Sequence, residues 1–268
     1  MKTLLNLKVW AMMLVAVLMF SACGGDDPEP EPEPEPQIVE DIPGSIAGLG
    51  ETTGDLTGTP YQLPQGIELA AKIWGGYNAA NYARASAFDK TMIPENYFEQ
   101  FETKTILTRA GETIAQDTIM GSGTWVHLLI PFKNITSSPI IITLPAGLIA
   151  KSVSGICQNG VLLKKVTIRI PANSICGVYL YMYCGNSHRD PSYSYEEYVF
   201  SVISNSSLIV DLCNRLKNKR INIEEYPDDK TQYNSYKSKL QSILWDLTDY
   251  GDEISADNIA YIEAMENI

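Results

Sequence analysis

Between residues 126 and 184 the chain alternates apolar and polar side chains with a period of two, and this limits its fold more than any other feature. Val126, Leu128, Ile130 and Phe132 interleave with His127, Leu129, Pro131 and Lys133, and Leu162, Val166, Ile168 and Ile170 with Leu163, Lys165, Thr167 and Arg169. A strand turns successive side chains to opposite faces, so each run predicts a strand with one face in a core. Asn134-Ile-Thr-Ser-Ser-Pro139 and Pro171-Ala-Asn-Ser174 carry turn chemistry, Ile140 to Leu144 is a further apolar run, and Cys176 to Cys184 reads as another strand. Short alternating strands joined by tight polar turns predict an antiparallel β-sandwich, here in a mainly β (α+β) chain.

After Pro191 the period changes. Val199, Val202, Ile203, Ile209, Leu212 and Leu216 recur at three- and four-residue spacing and end in the basic Lys217-Asn-Lys-Arg220, which suits a helix C-terminus. Tyr233, Tyr236, Leu240, Ile243, Leu244 and Leu247 form a second stripe ending near Gly251, and Ser255 opens a third with Ile259, Ile262 and Met265. The expected organisation is a sandwich domain over 44–190 and a small helical unit over 191–268 packed on it. In the first part of the sandwich domain, Gly48 to Gly66 reads as loop, and Lys104 to Arg109 and Glu112 to Met120 as short strands around Ala110-Gly111.

The ends of the chain differ in chemistry. Lys2 and Lys8 bracket a basic start, and Val9 to Phe20 is an apolar run shorter than the ~20 residues that span a bilayer. It closes on Phe20-Ser21-Ala22-Cys23, which resembles the signal-peptidase site of bacterial lipoproteins. That resemblance implies a signal peptide over 1–22 and a Cys23 acylated by chains such as palmitate, which anchor a protein to a membrane. Residues 23–43 continue as an acidic Glu-Pro stalk, whose prolines and like charges favour extended polyproline II. Acids directly after the Cys resemble the export signal of surface-displayed lipoproteins in some Gram-negative phyla, implying an outer-membrane, cell-surface location. Asp117-Thr118-Ile119 fits an O-glycosylation pattern of some Gram-negative envelopes, with Thr118 as acceptor. The formal net charge of −12 gives no basic surface for phosphates, which argues against a nucleic-acid partner. Two histidines and no metal-spaced cluster argue against a metal site, and nothing calls for a cofactor.

Beyond Cys23 there are Cys157, Cys176, Cys184 and Cys213. An exported chain favours disulfides. A strand over 176–184 separates its ends by about 26 Å at ~3.3 Å per residue, too far for Cys176 to bond Cys184. This leaves 157–176 with 184–213, or 157–184 with 176–213, or free buried thiols.

Two short strings point to sharper chemistry. Tyr183-Cys184-Gly185-Asn186 lies at a strand end, and Leu240-Gln241-Ser242-Ile243-Leu244-Trp245 in a later helix. Together they resemble the two sequence blocks of the thioester domains of bacterial surface adhesins. The resemblance, loosely covering residues 124–268, implies that the Cys184 sulfur displaces ammonia from the Gln241 side chain, leaving a thioester that acylates an amine on a host or neighbouring-cell surface. Gly185, where members carry an apolar residue, and Ser242-Ile243, where many have a variable residue and Ala, depart from the pattern, and the spacing is short. On a helical wheel Gln241 lies at the margin of the stripe formed by Leu240, Ile243, Leu244 and Leu247, with Trp245 one turn on. Trp245 and Tyr183 are expected to shield the bond, Asn186 to contribute to binding, and His188 to relay a proton during attack.

Competing readings use the same residues blandly. Gln241 can bond to backbone, the cysteines can form disulfides, and the chain can be a non-covalent glycan- or protein-binding or appendage module. Tyr179, Tyr181 and Tyr183 share the strand face opposite Cys176, Val178, Leu180 and Met182, suited to stacking on a sugar or partner or to cover by the helices. A hydrolase would need facing carboxyls from the pairs Glu196-Glu197, Glu224-Glu225 or Asp228-Asp229. No phosphate loop, zinc-protease motif or nucleophile elbow is present, so single-turnover acylation fits better than turnover catalysis.

Overall fold

The computed structural model describes residues 37–76, 118–228 and 230–268. The leader, Cys23, the Glu-Pro stretch, Lys104 to Arg109 and most of Glu112 to Met120 lie outside the described residues. The strands are β1 (Gly58–Pro60), β2 (Ile67–Leu69), β3 (Ile73–Gly75), β4 (Thr118–Gly121), β5 (Val126–Asn134), β6 (Ile140–Leu144), β7 (Leu148–Ser152), β8 (Gly160–Val161), β9 (Val166–Ile170), β10 (Ser174–Cys184) and β11 (Glu197–Ser204). The helices are α1 (Ser207–Leu216), α2 (Thr231–Trp245) and α3 (Ala256–Ala264), with a 3-10 turn at Ile223–Glu225 and a π-helical turn at Asp246–Tyr250.

The class is mainly β, as the alternation predicts. The strands do not divide into two facing sheets. They run β5-β3-β11-β7-β8-β10 and return to β5, closing a six-stranded barrel. The long strand β10 makes the closure. One edge pairs antiparallel with β5 from Ser174↔Asn134 to Met182↔Val126. Its other edge takes β4 in parallel at Val178 to Tyr181, then β8 at Tyr183 and Cys184. Strands β1 and β2 lie beside β11 and β5, and β6 pairs with β9 in a separate ribbon.

Period two sorts the side chains into two cores. Val126, Leu128, Ile130 and Phe132 of β5 meet Val178, Leu180, Met182 and Cys184 of β10 inside the barrel, joined by Ile142, Leu144, Val166, Ile168 and Ile170 from the ribbon. The opposite faces supply Ile149, Val161, Tyr183 and Val202 to a second core with Ile209, Leu212 and Leu216 of α1, Leu240, Ile243 and Leu244 of α2, Leu247, Ile262 and Met265. Each fully buried aliphatic side chain contributes roughly 1.5–3 kcal/mol. The ends of the helices follow local rules: Ser255 caps α3 by accepting from the Asn258 N–H at 3.2 Å, and the π-helical turn stops at Gly251.

Two expectations need correction. Residues 197–204 are a strand, so the helical unit starts near 205 rather than 191. Val199, Val202 and Ile203 match helical spacing, but Tyr198 is buried in the barrel core and Val202 in the second core, with a register shift between Phe200 and Ile203, and β-branched residues fit the pleat. Within Gly48 to Gly66, read as loop, Gly58–Pro60 is a strand, and Ile67–Leu69 and Ile73–Gly75 beyond it add two more, each too short for alternation to register.

The chain enters along the helical end. Val39 bridges to Ser206: its N–H donates to the Asn205 carbonyl at 2.8 Å, and its carbonyl accepts from the Ser207 N–H at 2.8 Å. Residues 44–50 then run as a strap between the loop after β10 and the end of α2. Among the described residues no helix is long and apolar enough to cross a membrane.

Candidate functional site

Cys184 is the last residue of β10, and its even register turns the sulfur toward the barrel interior. Gln241, 3% exposed, reaches it from α2. The Gln241 Oε1 accepts from the Cys184 N–H at 2.9 Å, and Nε2 donates to the Cys184 carbonyl at 2.9 Å. One carboxamide thus satisfies both main-chain groups of the cysteine, which have no further strand to pair with in the direction of α2. The Trp245 indole N–H donates to Sγ at 3.3 Å and the Asn186 N–H at 3.4 Å. Burial pushes the Cys184 thiol up to about 12, against the pull of those two donors toward thiolate.

The turn after Cys184 is fixed from three sides. Asn186 is fully buried. Its Oδ1 accepts from the Asn159 N–H at 3.0 Å, and its Nδ2 donates to the carbonyls of Gly50 at 2.9 Å and Gly48 at 3.3 Å. The Gly50 N–H donates to the Gly185 carbonyl at 2.7 Å. Gly50 has φ 56°, and a Cβ there would lie 1.8 Å from the Thr248 carbonyl oxygen, so the strap approaches the π-helical turn only as glycine. A Cβ on Gly185 would come within 2.8 Å of Leu49 Cδ2 in the strap. On the third side the Asp249 Oδ1 accepts from the Ser187 N–H at 2.8 Å and the Ser187 hydroxyl at 2.9 Å.

The expected site residues therefore part company. Cys184, Gln241 and Trp245 come together, the Gln241 carboxamide on the main chain of Cys184 and the Trp245 indole on its sulfur. Tyr183 does not shield it: as the odd neighbour it lies in the second core, sharing a 2.7 Å hydrogen bond with the Ser122 hydroxyl. Asn186 is spent on the strap and on Asn159, with no side-chain polar atom left to meet a ligand. His188 is part-exposed beside an open, polar cleft of about 640 Å³ lined by Glu51, Thr52, Ile156, Arg189 and Asp190 among others. Thr118 starts β4, on the outer edge of β10. Asp249 and Asn159 were missed by sequence reasoning. Each is one polar residue whose partners lie far along the chain, and only the preference of buried polar groups for partners could have flagged them.

The remaining candidates are engaged structurally. Cys157, Cys176, Cys184 and Cys213 are all free thiols, so neither expected pairing is present. His127 stacks on Tyr181 with ring centroids 3.9 Å apart, and burial lowers its pKa to about 3. Tyr179 and Tyr183 are buried. Glu196 accepts from the Ser152 and Ser154 hydroxyls at 2.6 Å each; burial opposes its ionisation, but these bonds and the Ser154 and Val153 backbone outweigh it and hold the carboxyl below its ordinary value. Glu197 pairs with Lys72 at 2.6 Å, Glu224 accepts from the Gly121 N–H at 2.8 Å, and Glu225 pairs with the buried Lys164. Asp228 is exposed and Asp229 lies outside the described residues. Among the described residues no group of three His, Cys, Asp or Glu is placed to hold a metal ion. No family model, curated protein or solved structure matches the chain.

Proposed function

We propose that this chain is a lipid-anchored module of the outer membrane, displayed at the cell surface through Cys23 and its acidic stalk, that adheres covalently through a Cys184–Gln241 thioester. The observation that carries the reading is the buried contact of the Gln241 carboxamide with Cys184, with an indole N–H on the sulfur. In the step that forms the bond, Sγ attacks the Gln241 Cδ, the C–N bond breaks, and the thiol proton leaves with ammonia. The Cys184 N–H already on Oε1 stabilises the negative charge that builds on that oxygen, and the Trp245 and Asn186 N–H groups favour the thiolate. An amine on a host or neighbouring-cell surface protein or glycan then takes the acyl group.

Intact-mass measurement tests this: the thioester lowers the mass by about 17 Da, one ammonia. The loss is expected in the native chain and absent in Cys184→Ala and Gln241→Ala. A native chain at full mass overturns the reading.

A second reading, a non-covalent glycan- or protein-binding or appendage module, is favoured by the same contact. The carboxamide satisfies both main-chain groups of Cys184 as it stands, which is sufficient reason for a buried Gln. Full mass in the native chain, with Gln241→Ala strongly destabilised, is its signature.

A further inference from the structure

The loops that follow β7 and β10, with the residues just after the strap, frame the open polar cleft of about 640 Å³. None of Cys184, Gln241 and Trp245 lines it, so it is a separate place from their buried contact. Its walls are fixed by main-chain bonds. The Asp190 N–H donates to the Ile156 carbonyl at 3.2 Å, and the Asp190 carbonyl accepts from the Gln158 N–H at 2.8 Å. The Gln158 Nε2 donates to the Arg189 carbonyl at 2.9 Å. After the strap, the Thr52 N–H donates to the Leu49 carbonyl at 3.1 Å and its hydroxyl to the Gly44 carbonyl at 3.1 Å. Such a preformed cleft needs little ordering when a ligand enters, and its volume falls in the range of small-ligand sites, about 300–1,000 Å³.

The charged side chains on those walls are unpaired. Among the described residues the side chains of Glu51, Arg189 and Asp190 form no ion pair and no hydrogen bond, although opposite charges line one cleft. The mixture of signs selects the ligand. Glu51 and Asp190 repel a phosphate or sulfate, and Arg189 repels a polyamine. A neutral sugar suits both signs, because each hydroxyl donates and accepts and so can meet a carboxylate and a guanidinium in turn. Ile156, 60% exposed, offers an apolar wall to the C–H face of a ring. Beside it Gly155 leaves room, since nothing lies within 4 Å of where its Cβ would stand.

We propose that this cleft binds a neutral pyranose glycan non-covalently. The Glu51 and Asp190 carboxylates accept from its hydroxyls, the Arg189 guanidinium donates to them, and Ile156 packs on the ring. Binding here is independent of the thioester, and it gives the non-covalent reading a site.

The test is saturation-transfer NMR of the full chain with a panel of neutral methyl pyranosides and neutral oligosaccharides, beside glucuronate, glucosamine and inorganic phosphate, followed by calorimetry on the best binder. A neutral sugar is expected to bind. Arg189→Ala and Asp190→Asn are each expected to weaken it by about 10-fold or more, the effect of removing a hydrogen-bonding charged group. Cys184→Ala is expected to leave the affinity unchanged. The site is overturned if no neutral sugar binds, if only the charged probes bind, or if a neutral sugar binds the native chain, Arg189→Ala and Asp190→Asn alike. Where either variant fails to fold, Glu51→Gln decides: unchanged affinity overturns the site. The two readings fail separately. A native chain at full mass removes the thioester and leaves sugar binding untouched, whereas a chain that has lost ammonia but binds no neutral sugar removes the glycan site alone.

Discussion

At Gln241 both ends of one carboxamide are held by one residue, and truncation there exposes more than a missing side chain. Gln241→Ala leaves the buried N–H and C=O of Cys184 without partners, which costs about 1–3 kcal/mol per orphaned group. Cys184→Ala removes only a sulfur contacted by two N–H donors. Denaturant midpoints are therefore expected to show Gln241→Ala destabilised by roughly 2–5 kcal/mol and Cys184→Ala by less than half of that. The order reverses if the carboxamide bridge is energetically idle. Gly50→Ala is expected to cost about 2–5 kcal/mol, since it combines a left-handed φ with a clash against the Thr248 carbonyl. Gly155→Ala is the control. Its φ is 74° but nothing lies within 4 Å of the new Cβ, so only the backbone strain of about 1 kcal/mol remains. At this scale the sulfur and the amide were legible because their neighbours in sequence form recognisable strings. Asp249 was not, since it belongs to an unremarkable polar end of a helix and its partner Ser187 is 62 residues away.

Among elements, the join between β4 and the 3-10 turn carries a titratable fastening. The Glu224 carboxyl accepts the Gly121 N–H, and burial raises its pKa to about 7 from an ordinary 4.5. Between those values the folded chain holds a proton that the unfolded chain has released. Stability from this group is thus fully present below pH 4.5 and is lost as pH rises through about 7. Glu224→Gln keeps an acceptor for Gly121 without the charge. It is expected to gain roughly 1–2 kcal/mol over the native chain at pH 8 and nothing at pH 5, as read by thermal or urea unfolding. An equal effect at both pH values would contradict this account. His127 acts in the opposite sense: burial holds its pKa near 3, so its contribution is present above its ordinary 6.5 and is lost as pH falls toward about 3. Strands β5, β6, β9 and β10 were legible because their apolar or alternating runs extend for five residues or more, whereas β7 and the two-residue β8 went unread. Strand β11 was not legible, because Val199, Val202 and Ile203 recur at helical spacing while Tyr198, Val199 and Phe200 put apolar side chains on both strand faces, so alternation does not register. Sequence could place α2 and α3, but not the π-helical turn between them, since Leu247 continues the apolar stripe as an α-helix would.

For the whole molecule, closure of the sheet is what brings the site together. Cys184 belongs to the barrel and Gln241 to the helices outside it, so the contact between them spans the boundary between two cores. Thinning either core should loosen it. Leu244→Ala, in the outer core one turn from Gln241, is expected to cost about 2–5 kcal/mol in urea unfolding. It is also expected to speed amide exchange at Cys184, whose N–H is bonded to the same helix. Protection unchanged at Cys184 would mean that the contact is secured from the barrel side alone. Ring closure was not legible in the sequence, because pairings such as Trp74↔Leu129 and Tyr198↔Ile73 join short segments far apart in the chain, and alternation carries no information about which edges meet.

The bridge at Val39 has a mechanical consequence. A tug applied upstream of Gln37 is delivered first to Val39, where main-chain bonds to Asn205 and Ser207, the Asn205 side chain on the Gln37 carbonyl and the Ser207 hydroxyl on the Asp41 N–H share the load. Only after that clasp yields would tension run into Gly44–Gly50 and loosen the turn that carries Cys184. The fold so has a fuse wired ahead of its most sensitive joint, and a stretched chain would lengthen there before the joint is strained.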